Sequence, residues 1–207
     1  MENLFQKLKR VRNLPLLSIR VMQEMLPGGF LTATNHSKKQ NLIKKIQSER
    51  GFKTFIETGT NEGVMIDAVK DRFDQIYSIE LDTDLYTRSK ARFSSNQHIH
   101  ILQGDSGELL GKVLADVSTP SIFWLDAHYS GGITAKTESE TPILKELTVI
   151  FNHDVKGHVI LIDDAWSFGT IKDYPSMSEL RRFVKSKRPQ IKVEVQNGII
   201  RIDTEKH

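Results

Sequence analysis

The sequence predicts an α/β protein in which a seven-stranded, mostly parallel sheet lies between two layers of helices. Short apolar runs alternate with amphipathic segments of helical length between about residues 53 and 187. Apolar strands of this kind are typical of parallel sheets that are covered on both faces. Asn197-Gly198 then separates two β-rich runs, which indicates a tight hairpin. We therefore expect the sheet to end in an antiparallel pair.

The elements follow one another in a regular order. Apolar residues at helical spacing predict an N-terminal helical stretch over residues 4–26 and a helix over 38–49. The apolar runs predict strands at 54–57, 76–80, 99–103, 121–126, 158–163, 191–196 and 199–202. Helices are predicted at 62–72, 84–93, 106–116, 141–152 and 175–187. This alternation describes a Rossmann-like three-layer sandwich over residues 51–207, preceded by a helical extension or cap over 1–50.

Composition narrows the range of functions. The 207 residues include no cysteine, which excludes disulfides, thiolate metal sites and cysteine nucleophiles. The net charge of +3 is too small to indicate nucleic-acid binding. No apolar run approaches the ~20 residues of a membrane span, and the first ten residues lack the apolar stretch of a secretory signal. We expect a cytoplasmic protein without a nucleic-acid partner, and the apolar face of the first helices could pair with a second copy in a homodimer.

The first predicted strand runs into a glycine-containing loop with the pattern E-x-G-x-x-x-G. Ligands of open α/β sheets bind outside the carboxyl ends of the strands, and glycine lets the backbone turn sharply and approach a ligand closely. The pattern differs from the dinucleotide-binding G-x-G-x-x-G, and an acidic residue at its start suits a cationic ligand. The candidate binding residues of this loop are Glu57, Thr58, Gly59, Thr60 and Gly63.

The next two strands end in residues that suit a nucleoside. A carboxylate at Glu80, followed by Leu81, could accept both hydroxyls of a ribose. The third strand ends in Gly104, Asp105 and Ser106, and Asp105 could accept a hydrogen bond from an adenine amino group. An alternative is that Asp105 or Ser106 caps the following helix.

Taken together, these strand ends resemble the successive motifs of class I S-adenosylmethionine-dependent methyltransferases. The resemblance covers about residues 53–202, including the terminal hairpin. It implies that the first loop lies against the methionine part of the cofactor, that Glu80 binds ribose and that Asp105 borders the adenine. It also implies that the methionine end points toward Asp126, which we include among the cofactor-binding residues. Thr60 and Asn61 depart from the family pattern, in which a third glycine is frequent here.

Three aspartates follow the fourth and fifth strands. Asp126 comes after the fourth strand, and Asp163 and Asp164 come after the fifth. Clustered carboxylates repel one another unless they are protonated or bind a cation, and hard oxygen ligands suit Mg²⁺ or another divalent cation. The arrangement resembles metal-dependent O-methyltransferases of the catechol and macrocin type, which implies a metal at these aspartates. The alternative is that Asp163 or Asp164 caps a helix or faces water.

The segment after the fourth strand supplies the candidate catalytic residues, which are His128, Asp126 and Lys136. A histidine titrates near neutral pH and could act as a general base, or it could orient Asp126, and Lys136 is a second base or substrate clamp. We expect residues 129–140, together with His36, Lys38 and Lys39, to cover the substrate. Residues 126–142 also resemble uncharacterised bacterial methyltransferases associated with glycan pathways, which implies a small-molecule or glycan acceptor.

Three other functions share parts of these patterns. A nicotinamide-dependent oxidoreductase would have the same sheet and Glu80, but Glu57 and the absent G-x-G-x-x-G disfavour it. A nucleotide- or nucleic-acid-binding module is disfavoured because three carboxylates repel phosphates. A metal-dependent hydrolase could use the same aspartates, with the loops at Glu57 and Glu80 serving only for packing.

Overall fold

The computed structural model describes residues 36–126, 142–171 and 174–205. The candidate bases His128 and Lys136, the predicted N-terminal helical stretch and most of the predicted substrate loop lie outside these residues.

The helices and strands alternate as the sequence predicts. The strands are β1 Thr54–Thr58, β2 Gln75–Glu80, β3 Ile99–Gln103, β4 Ser121–Leu125, β5 Val159–Ile162, β6 Val193–Gln196 and β7 Ile199–Asp203. The α-helices within the described residues are α1 His36–Arg50, α2 Val64–Val69, α3 Thr83–Arg92, α4 Ser106–Ala115, α5 Pro142–Asn152 and α6 Met177–Lys187. Short 3₁₀ turns add Lys70–Arg72 after α2 and Ala165–Ser167 after β5.

The seven strands form one sheet in the order β3-β2-β1-β4-β5-β7-β6. The pairs from β3 to β5 are parallel, and β7 pairs antiparallel with both β5 and β6. The predicted fold class, a Rossmann-like sheet that ends in an antiparallel hairpin, is thereby confirmed. The carboxyl ends of β1 to β5 share one edge of the sheet, which we call the site edge.

Apolar side chains cover both faces of the sheet. On one face, Leu110 of α4, Leu147 of α5 and Leu180 of α6 pack in one cluster with the sheet. On the other face, Ile43 of α1 and Ile66 of α2 belong to a second cluster. All five of these side chains are fully buried, and each such burial stabilises the fold by about 1.5–3 kcal/mol. The two clusters make the three layers.

The helix before β1 belongs to this core. It begins at His36, two residues earlier than predicted, and Ile43 and Ile46 are 0% and 1% exposed. The predicted boundary at residue 50, between the helical extension and the sandwich, stays a prediction because most of the extension lies outside the described residues.

The helix predicted over 62–72 begins at Val64 in the structure, because Gly63 precedes it in a left-handed conformation, and its last three residues form the 3₁₀ turn Lys70–Arg72. Gly63 has φ 70°, and a β-carbon added there would lie 2.6 Å from Cε2 of Phe93. We expect Gly63→Ala to lower the free energy of unfolding by about 1–3 kcal/mol more than Gly51→Ala, because it adds overpacking to the same backbone strain. Gly51 is the matched control, since it has φ +69° and nothing within 4 Å of an added β-carbon. Urea unfolding of both variants measures the difference, and equal losses would contradict the prediction.

The described residues contain no helix that is both long enough and apolar enough to cross a membrane.

Candidate functional site

Glu57 lies at the end of β1 and is buried beneath the first loop. Its Oε2 accepts a hydrogen bond from Ser78 Oγ at 2.7 Å, and the Ser78 hydroxyl is also 2.6 Å from Thr60 Oγ1. The pKa of Glu57 is raised to about 8, chiefly by burial and also by the nearby charges of Asp126 and Glu80, whereas the hydrogen bond from Ser78 lowers it. The Glu57 carboxyl group therefore retains its proton at neutral pH, and a cation that enters the site would favour its ionised form.

Glu80, at the end of β2, holds two loops through its carboxylate. Oε2 accepts the N–H of Asn61 at 2.7 Å, and Oε1 accepts the N–H of Asp82 at 3.0 Å. Asn61 has φ 49°, a left-handed conformation that asparagine adopts more readily than most residues. This explains how the loop dispenses with the third glycine of the family pattern. Leu81 is 56% exposed beside Glu80, so its side chain is accessible to a ligand.

The third strand end combines a turn with a helix cap. Gly104 has φ 144°, and its N–H donates to the Glu80 carbonyl at 2.8 Å. Asp105 is the N-cap of α4 and accepts the N–H of Gly107 at 2.7 Å. The capping alternative for Asp105 is thus present in the structure. Its carboxylate is exposed, and its role toward adenine stays a prediction.

Glu146 of α5 is a site residue that the sequence reasoning missed. It is fully buried, and its Oε1 accepts a hydrogen bond from Ser106 Oγ at 2.5 Å. Burial raises the pKa of Glu146 to about 7, although Ser106 and the hydroxyl of Thr58 act in the opposite direction. The available signal was a glutamate three residues after Ile143, on the apolar face of an amphipathic helix.

The aspartates after β4 and β5 lie side by side on the site edge. The N–H of Asp126 donates to the Thr58 carbonyl and that of Asp163 to the Leu125 carbonyl, both at 3.0 Å. Tyr174, which the sequence reasoning also missed, lies near this edge. Burial raises its pKa, and the charges that add to this effect are those of Asp126, Asp164, Glu146 and Asp163. This arrangement is consistent with the expectation that Asp126, Asp163 and Asp164 lie close together at the site edge.

Lys39 of α1 forms a buried ion pair with Asp163. The two side chains are 4% and 2% exposed, and Lys39 Nζ contacts Asp163 Oδ2. Lys39 Nζ also lies 5.9 Å from the centre of the Trp124 ring. The Lys39 side chain is thus enclosed rather than presented to solvent, and its expected part in covering the substrate stays a prediction.

The metal prediction receives no support from this geometry. Among residues 36–126, 142–171 and 174–205, no group of three or more histidines, aspartates and glutamates could hold a metal ion. Asp163 already contacts a cation, Lys39. The assignment of Asp126, Asp163 and Asp164 as metal ligands stays a prediction. In this structure their side chains are not arranged as a metal site.

Comparison with known proteins relates the chain by structure alone. No protein-family model and no curated protein matches its sequence. A methyltransferase of Podospora anserina bound to S-adenosylhomocysteine is similar at a TM-score of 0.60 and 14% identity, over 100% of this chain and 98% of that one. An O-methyltransferase of Bacillus cereus in complex with S-adenosylhomocysteine has a TM-score of 0.60 and 14% identity over 96% of both chains. An S-adenosylmethionine-dependent methyltransferase of Clostridium acetobutylicum has a TM-score of 0.60 and 8% identity, over 99% of this chain and 100% of that one.

The described part of the chain thus has the fold of S-adenosylmethionine-dependent methyltransferases. At identities of 8–14%, this likeness concerns the fold, and the activity has to be argued from the site.

Proposed function

We propose that this protein is an S-adenosylmethionine-dependent methyltransferase that transfers a methyl group to a hydroxyl of a sugar or another small molecule. The observation that supports the proposal is the row of acidic residues Glu57, Glu80 and Asp126, which lies at the ends of three neighbouring strands on the site edge. The ligand of the proposal carries a sulfonium and an ammonium group, and acidic side chains favour such cations because a nearby positive charge stabilises their ionised form. The same strand ends would repel the pyrophosphate of a nicotinamide cofactor.

Each part of the cofactor has proposed contacts. The methionine end would lie against the loop of β1 and Asp126, where Gly59, with φ 87°, lets the backbone come close. Glu80 would accept the ribose hydroxyls with lone pairs that the two backbone N–H groups leave available. Leu81, Gly104, Asp105 and Ser106 would border the adenine.

The chemistry asks little of the protein beyond alignment and exclusion of water. Bound S-adenosylmethionine supplies a methyl group on a sulfonium that is already activated. The residues of this chain would orient the acceptor hydroxyl in line with that methyl group, and His128 or Lys136 would take its proton.

We also propose that the protein is located in the cytoplasm, that residues 1–50 form a helical cap and that two copies form a homodimer.

Calorimetric titration of S-adenosylhomocysteine into the purified protein tests the proposal. We expect micromolar binding, as is usual for substrates and products of enzymes, and no binding of NADH. Glu80→Gln should weaken the binding of S-adenosylhomocysteine at least about tenfold, because hydrogen bonds to a charged group contribute about 1.5–3 kcal/mol. The matched control is Glu194→Gln, which alters an exposed glutamate of β6, the outermost strand of the sheet.

The control variant should bind like the wild type. Absence of S-adenosylhomocysteine binding by the folded wild-type protein would refute the proposal. Binding of NADH instead would favour the oxidoreductase.

A further inference from the structure

The buried lysine at the site edge needs a reason, because a charge is costly to bury. Lys39 is 3% exposed, and its helix is held in place by Ile43 and Ile46, which are 0% and 1% exposed. The ammonium group is therefore fixed over the end of β5 by the packing of α1, and it has a defined partner in Asp163.

Both oxygens of Asp163 are engaged. Oδ2 contacts the Lys39 ammonium, and Oδ1 accepts the N–H of Asp164 at 2.8 Å. A divalent cation bound to Asp163 would lie about 2.0–2.6 Å from a carboxylate oxygen. The Lys39 ammonium already contacts Oδ2, and it would repel a second cation that approached the same oxygen.

We infer that the ammonium group of Lys39 is a built-in cation that takes the place of a divalent metal ion at Asp163. Lys39 is thus a positioning residue for the site edge. By holding Asp163, it supports the left-handed turn at Asp164, which has φ 48°. The next residue, Ala165, donates its N–H to the Gly198 carbonyl at 2.8 Å, so the turn is joined to the terminal hairpin. Given the proposed function, methyl transfer would not require an added divalent cation.

Titration of Mn²⁺ into the full-length protein, followed by electron paramagnetic resonance, tests this inference. The wild type should show no saturable site that depends on Asp163. Lys39→Met removes the cation and retains an unbranched side chain, so Oδ2 of Asp163 becomes accessible to a metal. We expect Lys39→Met to bind Mn²⁺ at least about tenfold more tightly than the wild type, a change of 1.4 kcal/mol or more. The added variant Lys39→Met/Asp163→Asn should lose this site.

The exposed neighbour Lys38 provides the matched control. Lys38→Met removes the same charge from the same helix and should leave Mn²⁺ binding at the wild-type level. A Lys39→Met chain that folds only when Mn²⁺ is added would support the inference, because a ligand that binds the folded state stabilises it. If Lys39→Met does not fold in either condition, Lys39→Gln serves as the second variant.

Two outcomes would overturn the inference. One is a wild-type Mn²⁺ site that Asp163→Asn abolishes. The other is a folded Lys39 variant that gains no Asp163-dependent site. S-adenosylhomocysteine binding is measured on the same samples, and it does not depend on Lys39 acting as a metal substitute. Failure of the inference therefore shows in the Mn²⁺ titration, whereas failure of the proposed function shows in the wild-type calorimetry.

Discussion

Replacing Lys39 with methionine is expected to lower the free energy of unfolding by about 3–5 kcal/mol, the usual cost of breaking a buried ion pair on one side. The loss arises because Asp163, whose side chain is 2% exposed, would be left without its cation. It would then have to remain a desolvated carboxylate or take up a proton, and either costs free energy. Urea unfolding at pH 7.5, monitored by circular dichroism without divalent cations, measures the change.

A second substitution separates the loss of charge balance from the loss of packing. Lys39→Met/Asp163→Asn removes both charges, and the asparagine Oδ1 can still accept the N–H of Asp164. It should therefore recover a substantial part of the stability that Lys39→Met loses. Lys38→Met, which alters an exposed side chain, should change the stability by no more than about 0.5 kcal/mol. A double variant no more stable than Lys39→Met would show that the ion pair is not the cause.

Replacing Glu57 with glutamine is expected to stabilise the ligand-free protein by an amount that grows with pH. Burial raises the pKa of Glu57 from 4.5 to about 8 in the folded protein. The folded state therefore retains a proton that the unfolded chain releases above pH 4.5, and the wild type loses stability as the pH rises toward 8. The slope is about 1.4 kcal/mol per pH unit within this window. Glutamine does not titrate, so the Glu57→Gln variant does not lose this stability as the pH rises.

The measurement compares the free energies of unfolding of Glu57→Gln and the wild type between pH 5 and 9. The gap between them should widen up to about pH 8 and stay constant above it. Subtraction of the two curves cancels the contributions of other groups, such as Glu146, whose raised pKa acts in the same direction. Glu194→Gln, at an exposed position on β6, should keep a constant offset from the wild type. A gap that narrows with rising pH would contradict the assigned burial of Glu57.

Much of the fold could be predicted because local chemistry determined it. The apolar runs of β1, β4 and β5 are buried along their whole length, and a strand covered on both faces leaves that pattern in the sequence. The hairpin was predictable because Asn197-Gly198 adopts positive φ values of 51° and 74°, which these residues tolerate best. The placement of the acidic residues at the site edge followed from the parallel order of the strands.

The helix bounds were less predictable where a single backbone conformation decided them. The periodic pattern over 62–72 was compatible with a longer helix, but the left-handed conformation of Gly63 delays its start to Val64. The strands after which Asp126 and Asp163 follow end at Leu125 and Ile162, one residue earlier than predicted. Such small shifts depend on which backbone groups find partners in the neighbouring strand.

The sequence by itself determined the sheet, its hairpin and the row of acidic residues at the strand ends, because each depends on residues close together in the chain. Only the tertiary structure decided how those residues are paired. Lys39 meets Asp163 across 124 positions, and Ser106 meets Glu146 across 40. Neither pair has a local signature, since helix packing on the sheet brings the partners together. In that enclosed, weakly polar environment a charge or a carboxyl group requires a partner, and the packing determines which one is within reach.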